Sequence, residues 1–199
     1  MKSKFFPLNI KYSANPPSFA PNDLVIKRTL SQMRDAFFDQ KAVDKQIALE
    51  DKPIVDVYMA PVPSEHGHFM SLMTIVYPGT VGDECFMTMG HIHTDFENAP
   101  EVYITLRGQG LLVMQTVEGE TSVLDMVPGE LNYIPSGWAH RSINIGDEPL
   151  VFLGIYTADA VRDYSFIGVG KENFHKCVVK RGGKVEVINH PRFPKAPAD

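Results

Sequence analysis

Two cysteines among 199 residues are too few for a disulfide framework. Cys85 and Cys177 therefore suit a reducing cytoplasm better than an oxidising compartment. Long apolar runs are missing as well. Stretches such as 150–156 fall far short of the roughly 20 residues that cross a bilayer, so no membrane partner is expected. The opening segment, MKSKFFPLNIKYSANPP, starts basic but has no long apolar stretch, because Asn9, Lys11 and Tyr12 break it; a signal peptide is not expected. There is no excess of positive charge either. Nineteen Lys and Arg stand against 24 Asp and Glu, a net charge of -5, without basic clusters; nucleic acid is excluded as an expected partner. No internal repeat and no low-complexity segment is found.

The chain does have a globular composition, 44% hydrophobic, at a length that suits one domain. The proline-rich first 22 residues read as an extended arm. Leu30, Met33 and Phe37 recur at helical spacing, which predicts a helix near 30–38. Residues 1–50 are thus expected to form an arm and a helix packing on a barrel made by residues 51–199.

From residue 54 onward, short runs rich in Val, Ile, Leu, Tyr and Phe alternate with Gly, Pro, Asn and Asp. Strands are predicted at 54–60, 70–77, 86–93, 101–106, 111–117, 121–127, 131–134, 140–144, 151–156 and 184–188. Gly108, Gly119, Gly129 and Gly146 supply the turns between several of them. Many short strands with tight turns predict an all-β sandwich or small barrel.

The chemistry concentrates in three places. In Gly90-His91-Ile92-His93, a strand would put both imidazoles on one face. In Glu101-Val102-Tyr103-Ile104-Thr105-Leu106, Glu101, Tyr103 and Thr105 share one face and the apolar residues the other. In Pro135-Ser136-Gly137-Trp138-Ala139-His140, a turn delivers His140 to the start of a strand. Three imidazoles and a carboxylate suit a divalent ion such as Fe2+, Mn2+, Ni2+ or Zn2+. His66, His68, His175 and His190 read as surface or structural residues, and Trp138 as wall packing beside His140.

These residues match the two signature motifs of the cupin superfamily, which the chain resembles over residues 82–144. In the first motif His91-x-His93 is followed by Glu101, six residues and Gly108. In the second, Gly129 is followed by five residues, Pro135-x-Gly137, two residues, His140, three residues and Asn144. Cys85 replaces the usual Gly, and seven residues separate His93 from Glu101 where the general pattern has three or four. The longer gap is similar to that of the cupin-type phosphoglucose isomerases. So are Met73-Thr74-Ile75-Val76-Tyr77-Pro78-Gly79, Trp138-Ala139-His140-Arg141-Ser142-Ile143-Asn144, Tyr156-Thr157-Ala158-Asp159-Ala160 and Asp163-Tyr164. The gap is one residue longer again than in that family, so Glu97 rivals Glu101 as ligand. The Glu-Val-Tyr string and the step to Gly108 favour Glu101.

The resemblance implies an all-β, small cupin (jelly-roll) β-barrel with an N-terminal arm and one or two short helices. It implies a metal-dependent isomerase that interconverts glucose 6-phosphate and fructose 6-phosphate, as in glycolysis and gluconeogenesis. One divalent ion per chain, Fe2+ first among those named, would be held by His91, His93, Glu101 and His140. Glu101 would be the base in a proton-transfer route, a direct hydride shift being the alternative, and Tyr156 is a second catalytic residue. Thr74, Thr88, Gly90 and Tyr103 are implied as the phosphate subsite, and Tyr164 as a sugar contact. Arg162 stands where the family has His and is expected to touch the phosphate if it acts at all. A homodimer is expected, with the proline-rich arm contributing. Two other readings stay open: a metal cupin dioxygenase, and a non-catalytic sugar-binding cupin.

Overall fold

The computed structural model describes residues 5–93, 99–165 and 173–193. Strands β1 (Lys11–Ala14), β2 (Pro17–Ala20) and β3 (Leu24–Thr29) open the fold. A 3-10 turn (Ser31–Ala36) and helix α1 (Gln40–Leu49) follow. Then come β4 (Pro53–Met59), β5 (Phe69–Val76), β6 (Thr80–Val81), β7 (Glu84–Cys85), β8 (Ile92–His93) and β9 (Glu101–Arg107). After these run β10 (Gly110–Gln115), β11 (Thr121–Met126), β12 (Leu131–Ile134), β13 (Ala139–Asn144) and β14 (Leu150–Thr157). The last strands are β15 (Arg162–Asp163), β16 (Lys176–Arg181) and β17 (Lys184–Asn189).

One antiparallel sheet runs in the order β12-β9-β14-β5-β4-β3. Facing it are β11-β10-β13, the pair β15-β8 and the group β17-β16-β7-β6. The core lies between, joining Val55, Val57, Leu72 and Val76 of the large sheet to Leu112, Met114, Ile143 and Val178 opposite. The large sheet and the three smaller ones opposite enclose one core and make the all-β cupin barrel that the motifs imply.

Three expectations need correction. The 30–38 segment is not an α-helix. Met33 and Phe37 are fully buried as the spacing suggests, but the backbone is a 3-10 turn and Phe37 is extended. The α-helix starts later, where Asp39 caps it by accepting from the Ala42 N–H at 3.0 Å. It buries only Val43, so its apolar periodicity is weak. Second, residues 86–93 are not one strand. Met87 bridges Ile143 and His91 bridges His140, so three residues oppose two, a bulge in which Gly90 takes φ +78°. Third, the proline-rich segment is not simply extended, because β1 and β2 pair as a hairpin. Its Ile10, Ala14 and Phe19 pack on Met73, Ile75 and Val151 on the outside of the large sheet.

Candidate metal centre and pocket

The bulge at Gly90 turns His91 inward, and β8 carries His93 beside it. Their Nε2 atoms are 3.0 Å apart. Glu101 opens β9, and its alternation with Tyr103 and Thr105 buries all three while Val102 and Ile104 face outward. His140 on β13 brings Nε2 to 3.1 Å from Glu101 Oε2. The remaining separations from Glu101 Oε2 are 3.9 Å to His91 Nε2 and 3.8 Å to His93 Nε2. All four ligand atoms lie within 4.8 Å of one another.

Hydrogen bonds on the far side of two rings decide where their protons sit. The Trp138 carbonyl is 3.0 Å from His140 Nδ1, and the Ala99 carbonyl is 3.3 Å from His93 Nδ1. A carbonyl only accepts, so each Nδ1 carries a proton, and in the neutral ring each Nε2 presents a lone pair. A neutral His140 Nε2 thus faces a carboxylate oxygen, acceptor against acceptor. Glu101 Oε1 is buried without a hydrogen-bond partner. Such an arrangement is unfavourable unless a cation sits among the four groups. Two ligands at right angles around an ion roughly 2.1 Å away lie about 3.0 Å apart, which matches the two shortest separations. The donor set fits a divalent metal ion.

Burial pushes His91 well below the ordinary imidazole pKa, helped by His140 and Arg162 nearby, and burial lowers His93 too. Both rings are therefore neutral at pH 7, the form that binds metal.

His91 also lines the adjoining pocket, with Thr74, Thr88, Gly90, Tyr103, Arg162 and Tyr164. All four residues of the expected phosphate subsite therefore meet in one cavity. Thr74 lies on β5 opposite Phe152 of β14, and Thr88 Oγ1 accepts from the Ser142 N–H at 3.0 Å. Tyr103 is buried, which raises its pKa well above 10, and its ring stands edge-on to His140 at 5.8 Å. Tyr164 lies 5.6 Å from His91 between ring centroids. Tyr156 is not among the lining residues of that cavity. It is the cross-strand partner of Glu101, 6.0 Å from the His93 ring, with the Arg162 guanidinium 4.7 Å above it.

Sequence reasoning passed over Arg28. It sits on β3 paired with Val55, lines the same cavity, and places its guanidinium 5.5 Å from the Tyr164 ring centre. Gly154 was passed over too; a Cβ there would come 3.2 Å from Glu101 Oε1. Glu97 lies outside the described residues. Of the other histidines, His66 is exposed beside Asp159 at 2.9 Å. His190 is fully buried, and its Nδ1 accepts from the Arg192 and Phe193 N–H groups.

Comparison with known proteins agrees with this picture. Residues 27–192 match the family model described as glucose-6-phosphate isomerase (GPI). The glucose-6-phosphate isomerase of Pyrococcus abyssi is 40% identical over 187 residues, 94% of this chain and 97% of that protein. That of Pyrococcus furiosus is 41% identical, covering 84% of this chain and 87% of the relative. That of Thermococcus litoralis is 42% identical, covering 83% and 86%. A solved structure of Bacillus subtilis oxalate decarboxylase is 26% identical over 54% of this chain and 26% of its own, with a TM-score of 0.43; so loose a likeness says nothing about the site. Matched over most of its length and built on a cupin barrel, this chain belongs to the glucose-6-phosphate isomerase family.

Proposed function

We propose that the chain interconverts glucose 6-phosphate and fructose 6-phosphate at the four convergent side chains. The observation that carries this reading is that His91, one of the four, lines a cavity that also gathers Thr74, Thr88, Gly90 and Tyr103. His91, His93, Glu101 and His140 would hold a divalent ion, which when bound would supply Lewis-acid polarisation of the open-chain sugar's carbonyl. Fe2+ is our first choice, and three imidazoles with one carboxylate suit Mn2+, Ni2+ and Zn2+ as well.

The chain's own groups do the rest. The phosphate is bound away from the ligands, by the hydroxyls of Thr74, Thr88 and Tyr103 and the Gly90 N–H. Arg28 and Arg162 add positive charge at the same cavity. Glu101 Oε1, unpartnered and buried, is the proton carrier between C2 and C1. Tyr156, kept protonated by burial, donates to a sugar oxygen, with Arg162 above its ring. Tyr164 closes on the sugar from the His91 side. The dioxygenase and sugar-binding readings give way to the family membership.

We also propose a homodimer. Outward-facing Tyr133, Val102 and Ile155 stand in one row across β12, β9 and β14, and Leu131, Ile104 and Leu153 in the next. Leu131 and Tyr133 are more than half exposed. A patch of this kind, continuous with the part the β1-β2 hairpin covers, suits a second copy. Both cysteines are buried and free, which supports a cytoplasmic home. Among the described residues no helix is long and apolar enough to cross a membrane.

The test is a coupled assay of fructose 6-phosphate conversion after chelator treatment, with Fe2+, Mn2+, Ni2+ and Zn2+ restored separately. Activity regained with metal and absent from His140→Ala would establish the reaction at this site. Metal binding without any conversion would refute the isomerase.

A further inference from the structure

Arg141 is buried to 1% exposure on β13, one residue beyond His140. Burying a guanidinium is expensive, and an apolar side chain of similar volume would pack there at less cost. What the charge is for can be read from its contacts. The guanidinium Nη2 donates to the Met89 carbonyl at 3.0 Å and to Asn173 Oδ1 at 3.4 Å. The group lies over the Phe174 ring, its carbon 4.6 Å from the ring centre. It is thus held from two sides and aimed at one backbone carbonyl.

That carbonyl belongs to the residue before Gly90. Within the bulge, Gly90 takes the left-handed φ of +78°, and His91 then exchanges backbone hydrogen bonds with His140 at 3.2 and 2.9 Å. A left-handed turn between two ladder contacts has one soft end, the Met89 side. There the nearest regular tie, Thr88 N–H to the Ser142 carbonyl at 2.8 Å, leaves the Met89 carbonyl to be held by something else.

We propose that Arg141 is a positioning residue for the metal centre: by gripping the Met89 carbonyl it fixes the Gly90 turn and so the direction of the His91 imidazole. The inference rests on the reading of His91, His93, Glu101 and His140 as metal ligands. It gives a long-range use to a side chain that touches neither ion nor substrate. His140 and Arg141 point to opposite sides of one strand, so a single strand supplies a ligand on one side and the support for another ligand on the other.

The experiment uses the full chain, loaded with Mn(II) after chelation. Arg141→Lys keeps the buried charge but loses the fork that reaches Met89. The expected result is a Mn(II) dissociation constant raised about 10- to 100-fold, as when groups that orient metal ligands are removed, with a changed zero-field splitting in the Mn(II) EPR spectrum. Val178→Ala serves as a control that loosens the core and leaves the Arg141–Met89 hydrogen bond in place; it should lower Tm and leave both metal readouts at their starting values. A folded Arg141→Lys protein with unchanged affinity and spectrum overturns the proposal, and so does a Val178→Ala protein that weakens the metal equally. Should Arg141→Lys fail to fold, Asn173→Ala decides, because it removes the second anchor of the guanidinium. A weaker site there supports the proposal and an unchanged one overturns it. If the unsubstituted chain binds no Mn(II), the metal reading falls first, and it takes this inference with it.

Discussion

Glu101 Oε2 lies 3.1 Å from His140 Nε2, and the Trp138 carbonyl takes the Nδ1 proton on the far side of the imidazole, so a neutral His140 brings only a lone pair to the contact. Two acceptors so placed repel each other until a cation sits between them. Glu101→Gln removes the charge while keeping the shape, and its amide can donate to His140 without any ion. The expected outcome is a folded protein of near-normal Tm whose metal affinity falls by about 10-fold or more and whose kcat falls by about 10²–10⁴-fold. Titration with Mn(II) and the coupled assay measure the two effects; an active Gln variant would remove Glu101 from both roles.

Gly154 bears on the same carboxylate. A methyl group there would stand 3.0 Å from Leu72 Cδ1, 3.1 Å from Tyr103 Cε1 and 3.2 Å from Glu101 Oε1. All three neighbours are buried, so they have little room to give. Gly154→Ala should cost about 1–3 kcal/mol by overpacking, seen in thermal unfolding. Activity should fall more than stability suggests, because the displaced group is the carboxylate. Equal stability and full activity would show that the site yields freely.

The dimer face can be tested by placing charge on it. Tyr133→Asp and Leu131→Glu alter outward side chains of β12, away from the core. Light scattering should give the mass of two chains for the unsubstituted protein and of one for the double variant. One chain for the unsubstituted protein would remove the dimer.

Much of this architecture can be read directly from the residues. The polar face of β9 is written in the alternation Glu101, Tyr103, Thr105, and the turn-to-strand delivery of His140 in Pro135-x-Gly137. These are local signals, carried by neighbours in the chain. Arg28 is different. It reaches the cavity because β3 pairs with β4, a pairing that joins segments about 25 residues apart, and nothing adjacent to Arg28 marks it. Gly154 is equally silent, because its meaning lies in a cross-strand carboxylate. The helix at Gln40–Leu49 escaped notice because only Val43 is buried. The break at Gly90 hid within a run that alternates like a strand.

Arg28 offers a direct test of the phosphate reading. Apart from Arg162, the cavity's other phosphate groups are hydroxyls and one N–H, whereas a sugar phosphate carries close to two negative charges. Hydrogen bonds to charged groups contribute about 1.5–3 kcal/mol each. Arg28→Gln should therefore raise KM for fructose 6-phosphate by about tenfold or more, with kcat little changed, because the phosphate takes no part in the bond changes. Inhibition by inorganic phosphate should weaken in parallel. An unchanged KM would move the phosphate away from Arg28.

The last prediction concerns pH and a carboxyl far from substrate. Glu84 is 1% exposed, accepts the Phe38 N–H at 2.7 Å, and burial raises its pKa from the ordinary 4.5 to about 7. A folded-state pKa above the unfolded one means that the folded chain binds more protons between pH 4.5 and 7. Its contribution is fully present below pH 4.5 and is lost as pH rises through 7, amounting to about 3 kcal/mol. His190 works in the opposite direction. Burial lowers its pKa from 6.5 to about 4, so its contribution is present above 6.5 and lost as pH falls through 4. Between 4.5 and 6.5 the slope of Glu84 opposes that of His190, and the lowered His91 and His93 act in the same direction as His190, so the metal-free protein should gain stability with rising pH there. Glu84→Gln keeps an acceptor for Phe38 and cannot ionise. Relative to the unsubstituted chain it should gain stability progressively from pH 4.5 to 7 and hold a constant advantage above that. Urea unfolding at intervals from pH 4.5 to 8.5 measures the difference curve. A difference independent of pH would mean that Glu84 keeps an ordinary pKa, and that the buried region around it is wetter than its burial implies.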